Sequence, residues 1–296
     1  MLLESHLQLI FRKKTNFVGS KTLNFVIKFV TCSCKIERTM NKLKPFIDNI
    51  LYETAIPIML ISHRDMSLFH EDPIEYIRKC DDLIETIYMP KITCVNLIQI
   101  VCAYKSVKKQ KKPDYLFPFL TFATNNMTMY NDEKAKNGNP DWRIKEALLF
   151  AVGSLQEQIA EQKDLNAQME PMLMTHVMPE LGSDQPFLRS RACWVYGEFG
   201  DYKFTDDKHV QSATDGIYQS LNSEHLPVRL SAALALSKLI QNKIAAAFMK
   251  PALASILQVY LKIMNDIDSE ELIEAFEQII NQFKEDLGPF ALEICQ

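Results

Sequence analysis

Four stretches of this chain fall into register when slid over one another. IKEALLFAVGSL begins at Ile144, LRSRACWVYGEF at Leu188, VRLSAALALSKL at Val228 and LIEAFEQIINQF at Leu272, at spacings of 44, 40 and 44 residues. In each, the first, fifth, eighth, ninth and twelfth positions are apolar. The sets are Ile144, Leu148, Ala151, Val152, Leu155; Leu188, Ala192, Val195, Tyr196, Phe199; Val228, Ala232, Ala235, Leu236, Leu239; and Leu272, Phe276, Ile279, Ile280, Phe283. Such offsets make one stripe along an α-helix. The second position is basic in three copies (Lys145, Arg189, Arg229) and Ile273 in the fourth, and Gly153 coincides with Gly197. FLRSRACWVYGEF, with its arginines, cysteine, tryptophan and tyrosine, therefore reads mostly as one register of a repeating helix rather than as a reactive centre.

A further helix is predicted before each later copy: MEPMLMTHVMPEL (169–181), DKHVQSATDGIYQSL (207–221) and FMKPALASILQVYLKIM (248–264). Pro171 and Pro251 stand near helix starts, where a missing N–H costs nothing, and short polar turns such as GSDQP and NSEH follow. Helix, turn and helix in this period characterise HEAT and armadillo arrays, and two helices per unit select HEAT over the three-helix armadillo. The predicted fold class is all-α, a right-handed, superhelical, armadillo-like α-solenoid of HEAT repeats. A count of only 8 glycines in 296 residues argues against a strand-and-turn protein. One helix pair cannot cover both its apolar faces, so stability is carried between repeats.

Regular repeats are expected over 141–296 and irregular HEAT-like pairs over 1–140, continuous as one solenoid and truncated at both ends. The closing KEDLGPFALEICQ starts another first helix, and the opening MLLESHLQLI lacks the polar outer face of a terminal repeat. In the first half, 22–36 and 43–60 read as a pair, with Pro45 in a first helical turn. After a loop, 72–88 reads as a helix with Asp72 as N-cap and Pro73 at its first position. KITCVNLIQIVCAY and YLFPFLTFATNNMTMY (115–130) follow, and NDEKAKNGNP (131–140) reads as a long inter-helix loop, with a domain linker as the alternative.

No catalytic constellation is legible. The six histidines are scattered, with no HExxH, Walker A or GxGxxG pattern. Of the seven cysteines, Cys32 and Cys34 are too close for a zinc knuckle and no second pair follows, so neither a metal nor a cofactor is expected. Their odd count reads as reduced, intracellular thiols. No secretion signal is recognised, and the longest apolar stretch, ITCVNLIQIVCAY, is short for a bilayer, so no membrane insertion is expected. Net charge is −4. KSVKKQKK (105–112) reads as a solvated turn, with a nucleic-acid patch or localisation signal as the alternative. It has no interleaved aromatics, and no direct nucleic-acid binding is expected. From Asp266 onward nine acidic residues face Lys284 alone, a solvated helix face or a surface for basic partners.

What remains is binding. Three, six and ten residues after the first position lie Ala147, Phe150, Ser154; Arg191, Trp194, Glu198; Ser231, Leu234, Lys238; and Ala275, Gln278, Gln282. This face is expected to line the concave side, with Arg191, Trp194, Glu198, Ser231, Lys238, Gln278 and Gln282 as the candidate protein-binding residues. Trp194 reads either as an interface anchor or as a wedge against the next repeat.

HEDPIEYIRK (70–79), QMEPMLMTHVMPEL (168–181), LRSRACWVYGEF and LPVRLSAALALSKLI (226–240) resemble the importin-beta superfamily, in particular nuclear transport receptors of the importin-seven/importin-eight type. The likeness runs in order from about Thr22 to the C-terminus; the first twenty residues match poorly and KSVKKQKKPDYLFPFLTF diverges. The resemblance implies a central part of a longer superhelix that shuttles between cytoplasm and nucleus through the nuclear pore. It also implies basic protein cargo, phenylalanine-glycine nucleoporins and Ran-GTP as partners, with the main Ran-binding repeats lying N-terminal to this segment. The expected role is a non-enzymatic, protein-binding segment of a transport receptor. The alternatives are a HEAT scaffold subunit of an enzyme complex, or an incomplete product without transport activity of its own.

Overall fold

The computed structural model describes residues 18–82, 88–107 and 111–288. Parts of the predicted helix 72–88, of the basic cluster and of the closing stretch, and all of MLLESHLQLI, lie outside them. Among the described residues there is no strand. The chain divides into two compact units, one of Met1–Met66 with Ile77–Asn166 and the other of Ser67–Tyr76 with Ala167–Gln296.

In the first unit, α1 (Ser20–Cys34) lies beside α7 (Pro90–Cys102). Between them in sequence come α2 (Glu37–Leu43), a 3-10 turn at Lys44–Phe46, α3 (Ile47–Ile50), a π turn at Leu51–Ala55 and α4 (Ile56–Met59). Then follow α5 (His63–Glu71) and α6 (Pro73–Asp81). The unit closes with α8 (Leu116–Ala135), α9 (Trp142–Gly153) and the short α10 (Gln156–Ala160) and α11 (Lys163–Asn166). Val26, Ile27 and Val30 of α1 and Leu97, Ile98 and Val101 of α7 are buried, with a buried hydrogen bond from the Thr93 hydroxyl to the Asn24 side-chain carbonyl. Lys145 is fully buried at 0 % exposure. Its Nζ donates to Asn131 Oδ1 at 2.6 Å and stands over the Tyr130 ring at 4.9 Å.

In the second unit, α12 (Met169–Met172) continues through a π turn (Leu173–Val177) and a 3-10 turn (Met178–Gly182) to pair with α13 (Pro186–Glu198). Next, α14 (Asp207–Ser220) pairs with α15 (Leu226–Leu239). Last, α16 (Lys243–Met249), a 3-10 turn (Lys250–Ala252) and α17 (Leu253–Asp266) precede α18 (Glu270–Gln282). The second helices stack: α13 packs on α15, and α15 on α18. Copies two and three of the predicted stripe are buried at every position, and in the fourth only Ile280 is half-buried. The first copy departs from the register at its start, where Ile144 is 41 % exposed. Each large buried member contributes about 1.5–3 kcal/mol, which only the neighbouring helix makes available.

Proline explains the breaks that periodicity did not predict. The ring of Pro57 would clash with the Glu53 carbonyl four residues back, and that of Pro179 with Thr175. Both carbonyls lie in the two π turns, whose wider coil makes room. Pro45 and Pro251 do not start helices as expected. Each sits in a 3-10 turn joining two helices, so the predicted helix at 248–264 begins earlier, at Lys243. The run Lys243–Asp266, 24 residues, is long and apolar enough by composition to cross a bilayer. It is broken at Pro251, and its members pack on α14, α15 and α18.

Two loop assignments also give way. The stretch before Asp72 is α5, capped by Ser62, whose Oγ accepts from Asp65 N–H at 3.1 Å. NDEKAKNGNP is helical as far as Ala135. The end comes at Asn137, left-handed at φ 59°, with Gly138 N–H donating to Glu133 O (2.9 Å) and Asn137 N–H to Lys134 O (3.1 Å). This is a Schellman termination. Asp72 caps α6 as predicted, its Oδ1 accepting from Glu75 N–H at 3.0 Å.

Candidate functional site

The candidate face is carried by helices that start in one register. Their N-caps are Asp141, Gln185, His225 and Ser269, each three residues before the first stripe position. Asp141 and Ser269 cap with their side chains. At α13 and α15 the basic second position takes over part of the task. Arg189 Nε donates to Ser183 O at 3.0 Å and Arg229 Nη1 to Ser223 O at 2.9 Å, in both cases six residues back. Gln185 N–H and His225 N–H donate to Ser183 Oγ and Ser223 Oγ at 3.3 Å. The arginines of the repeat thus brace the turn that aims each second helix.

Close approach of α13 and α15 depends on small residues. A Cβ on Gly197 would stand 3.3 Å from Ala235 Cα, and one on Gly200 would stand 3.0 Å from Lys238 Cβ. The Ser190 and Ser231 hydroxyls meet at 2.8 Å, 41 residues apart in sequence. Tyr196 and Tyr260 are fully buried and donate to Leu173 O (3.4 Å) and Ala233 O (2.5 Å). Burial pushes both phenols well above their ordinary range.

The loop leading into α14 is pinned by Glu170, whose carboxylate is 5 % exposed. Thr205 N–H and hydroxyl donate to its Oε2 at 2.8 and 2.7 Å, Asp206 N–H donates to Oε1 at 3.2 Å, and His209 Nδ1 lies 2.7 Å from Oε1. Burial alone would raise its pKa; the hydrogen bonds from Thr205, His209 and Asp206 override it and bring the pKa down to about 2.

On this frame Arg191, Trp194 and Glu198 stand on α13, Ser231, Leu234 and Lys238 on α15, and Gln278 and Gln282 on α18. Arg191, Trp194, Glu198, Ser231 and Leu234 are half-buried; Lys238, Gln278 and Gln282 are exposed. Ala275, on the same face, is buried. The Arg191 guanidinium stacks over the Trp194 ring at 4.8 Å, and Lys238 Nζ reaches Glu198 Oε1 at 3.4 Å. The result is a row of polar and charged side chains around Trp194 and Leu234, a form suited to gripping a polypeptide. Ala147, Phe150 and Ser154 belong to the first unit, where Ala147 is buried and the other two are half-buried.

Sequence reasoning missed the Glu170 network and the serine pair, because both depend on partners that only tertiary structure brings together. It also did not anticipate the exposure of Ile273 (42 %) and Phe248 (39 %). Among the described residues no group of three or more His, Cys, Asp or Glu could hold a metal ion.

A family model described as importin-9 central HEAT repeats matches residues 119–287. The importin beta-like SAD2 homolog of Arabidopsis thaliana is 29% identical over 297 residues, covering 100% of this chain and 28% of that protein. Importin-8 of Homo sapiens is 29% identical over 286 residues, 96% of this chain and 26% of its own length. A probable importin-7 homolog of Dictyostelium discoideum is 27% identical over 272 residues, 92% and 25% of the two chains. The chain therefore spans about a quarter of the length of these relatives. With the HEAT pairing seen within the second unit and a family model covering more than half of the residues, the chain belongs to the importin HEAT-repeat family.

Proposed function

We propose that this chain is a protein-binding segment of a nuclear transport receptor, working in the cytoplasm and nucleus without catalysing a reaction. The observation that carries the reading is the family membership, joined to a row of second helices that presents Arg191, Trp194, Glu198, Ser231, Lys238, Gln278 and Gln282 together. Trp194 is the anchor, held flat by Arg191, and the residues around it form a polar rim. The row serves as the concave wall that takes basic protein cargo, with the acidic residues from Asp266 onward adding long-range attraction. Phenylalanine-glycine nucleoporins bind in outer inter-helix grooves, and Ran-GTP releases cargo through repeats outside this segment.

Passing the chain over immobilised basic cargo and over immobilised phenylalanine-glycine repeats tests the reading. Retention on cargo is expected, weakened about tenfold or more by Trp194→Ala, since removing an aromatic anchor costs on the order of 2 kcal/mol. Retention on neither support contradicts the proposal. Stoichiometric co-purification of an enzyme, indifferent to Ran-GTP, would favour a scaffold instead.

A further inference from the structure

In the second unit the turns between first and second helices are short, at 183–185 and 221–225. The connection between α4 and α7 runs instead over residues 60–89 and contains α5 and α6. Part of it, Ser67–Tyr76, packs with the second unit. The hold is narrow. On α5 the buried residue is Phe69, at 2 % exposure, while Ile74 just beyond is 43 % exposed. The Phe69 ring lies 4.1 Å from Phe187, 5.1 Å from Tyr76 and 5.7 Å from His225. His70 meets His225 edge-on at 5.4 Å and borders Phe187 at 6.2 Å. Phe69, Tyr76, whose ring meets Phe187 edge-on at 6.2 Å, and a pair of facing imidazoles thus fasten this segment onto the turns that begin α13 and α15.

The charges around that pair are lopsided. His225 is faced by Glu224, with Nε2 3.4 Å from Oε1, by His70, and by Arg189 and Arg229. The Glu224 side chain is 87 % exposed, which weakens its pull. Both arginines are tied to turn carbonyls and cannot swing away, and Arg229 also reaches Asp266 at 3.4 Å. On the segment itself Glu71 and Asp72 follow His70, and Asp72 is engaged as the cap of α6. Burial first, then His70 and the two arginines, hold the His225 pKa below its ordinary value against the opposing pull of Glu224. Of these only the burial and His70 depend on the strap; through them a docked segment binds fewer protons than a free one, and docking weakens as the pH falls through the ordinary histidine range.

We propose that Ser67–Tyr76 is a detachable strap with His225 as its acid-sensitive latch. The strap lies closed over Phe187 while the imidazole is neutral and lifts when it takes a proton. Lifting uncovers Phe187 and the turn edge of α13 and α15 without unfolding either helix.

Hydrogen exchange of the 296-residue chain at pH 7.5 and 5.5, corrected for intrinsic exchange rates, reads the strap directly. The reporters are the amides of Asp72 and Tyr76, which donate to Leu68 O (2.9 Å) and Asp72 O (3.0 Å), with α13 and α15 as internal controls. Protection of the strap is expected to fall at the lower pH, by at most about tenfold, the limit for one histidine that must stay neutral, while the controls hold. His225→Phe keeps a ring but accepts no proton and should abolish the fall; Phe69→Ala should leave the strap unprotected at both pH values. A strap that exchanges only together with α13 and α15 overturns the proposal. So does protection that does not change with pH, or a fall that persists in His225→Phe.

Discussion

Glu170→Gln is the perturbation that best separates the second unit's local wiring from its general packing. The native carboxylate takes four hydrogen-bonding contacts from Thr205, Asp206 and His209 while nearly excluded from solvent. Its pKa drops from 4.5 to about 2. At about 1.4 kcal/mol per unit this represents at most about 3 kcal/mol of folded-state stabilisation at neutral pH, less what solvent screening removes. The sign follows from the direction of the shift. A carboxylate depressed in the folded state contributes fully above 4.5, and its contribution disappears as the pH falls toward about 2, being less than half by pH 3. Glutamine keeps the shape but loses the charge and points an N–H₂ donor at other donors. The assay is urea unfolding followed by Trp194 fluorescence in a Trp142→Phe background, which leaves Trp194 as the only tryptophan. Expected is a loss of about 2–3 kcal/mol at pH 7, or about 6–9 °C in melting temperature, shrinking at pH 3. A loss below about 0.5 kcal/mol at pH 7, or one equal at both pH values, would refute the reasoning.

Two further outcomes follow from the same contacts. Arg189→Ala and Arg229→Ala each release a turn carbonyl and should cost about 1–2 kcal/mol, measured by the same unfolding curves, whereas alanine at the exposed Gln278 should be near neutral. Among the described cysteines, Cys32 and Cys80 are exposed and Cys34, Cys94, Cys102 and Cys193 are buried. Burial pushes the Cys34 and Cys193 thiols up to about 12, so a thiol reagent at pH 8 should label Cys32 and Cys80 first and reach Cys34 and Cys193 only on unfolding.

The regular part of the fold was legible because its signal is local. Five apolar positions per copy, repeated at nearly constant spacing, define a buried stripe whatever the partner, and α13, α15 and α18 bury theirs together. The breaks were less legible. Pro45 and Pro251 look like helix starts from their first-turn preference, but each joins two short helices through a 3-10 turn. The NDEKA of 131–135 reads as loop from its polarity, yet helix continues to the Asn137–Gly138 terminator, because solvent-facing polar residues are compatible with helix. For the candidate face, the offsets from the stripe named Arg191, Trp194 and Glu198, which stand on α13. Their neighbours across the stack, such as Ser231 beside Ser190, depend on the angle and closeness of helix packing, which Gly197 and Ala235 set and periodicity does not.

The claim that second helices lie side by side, in register, is tested most directly by oxidising Ser190→Cys/Ser231→Cys and identifying the linked peptide by mass spectrometry. The two hydroxyls are 2.8 Å apart on α13 and α15, within the reach of a disulfide. A 190–231 link should form readily in the folded chain, with helix content unchanged. Absence of that link in folded protein, while cysteines introduced at unrelated exposed sites react normally, would contradict the stacking on which the candidate face depends.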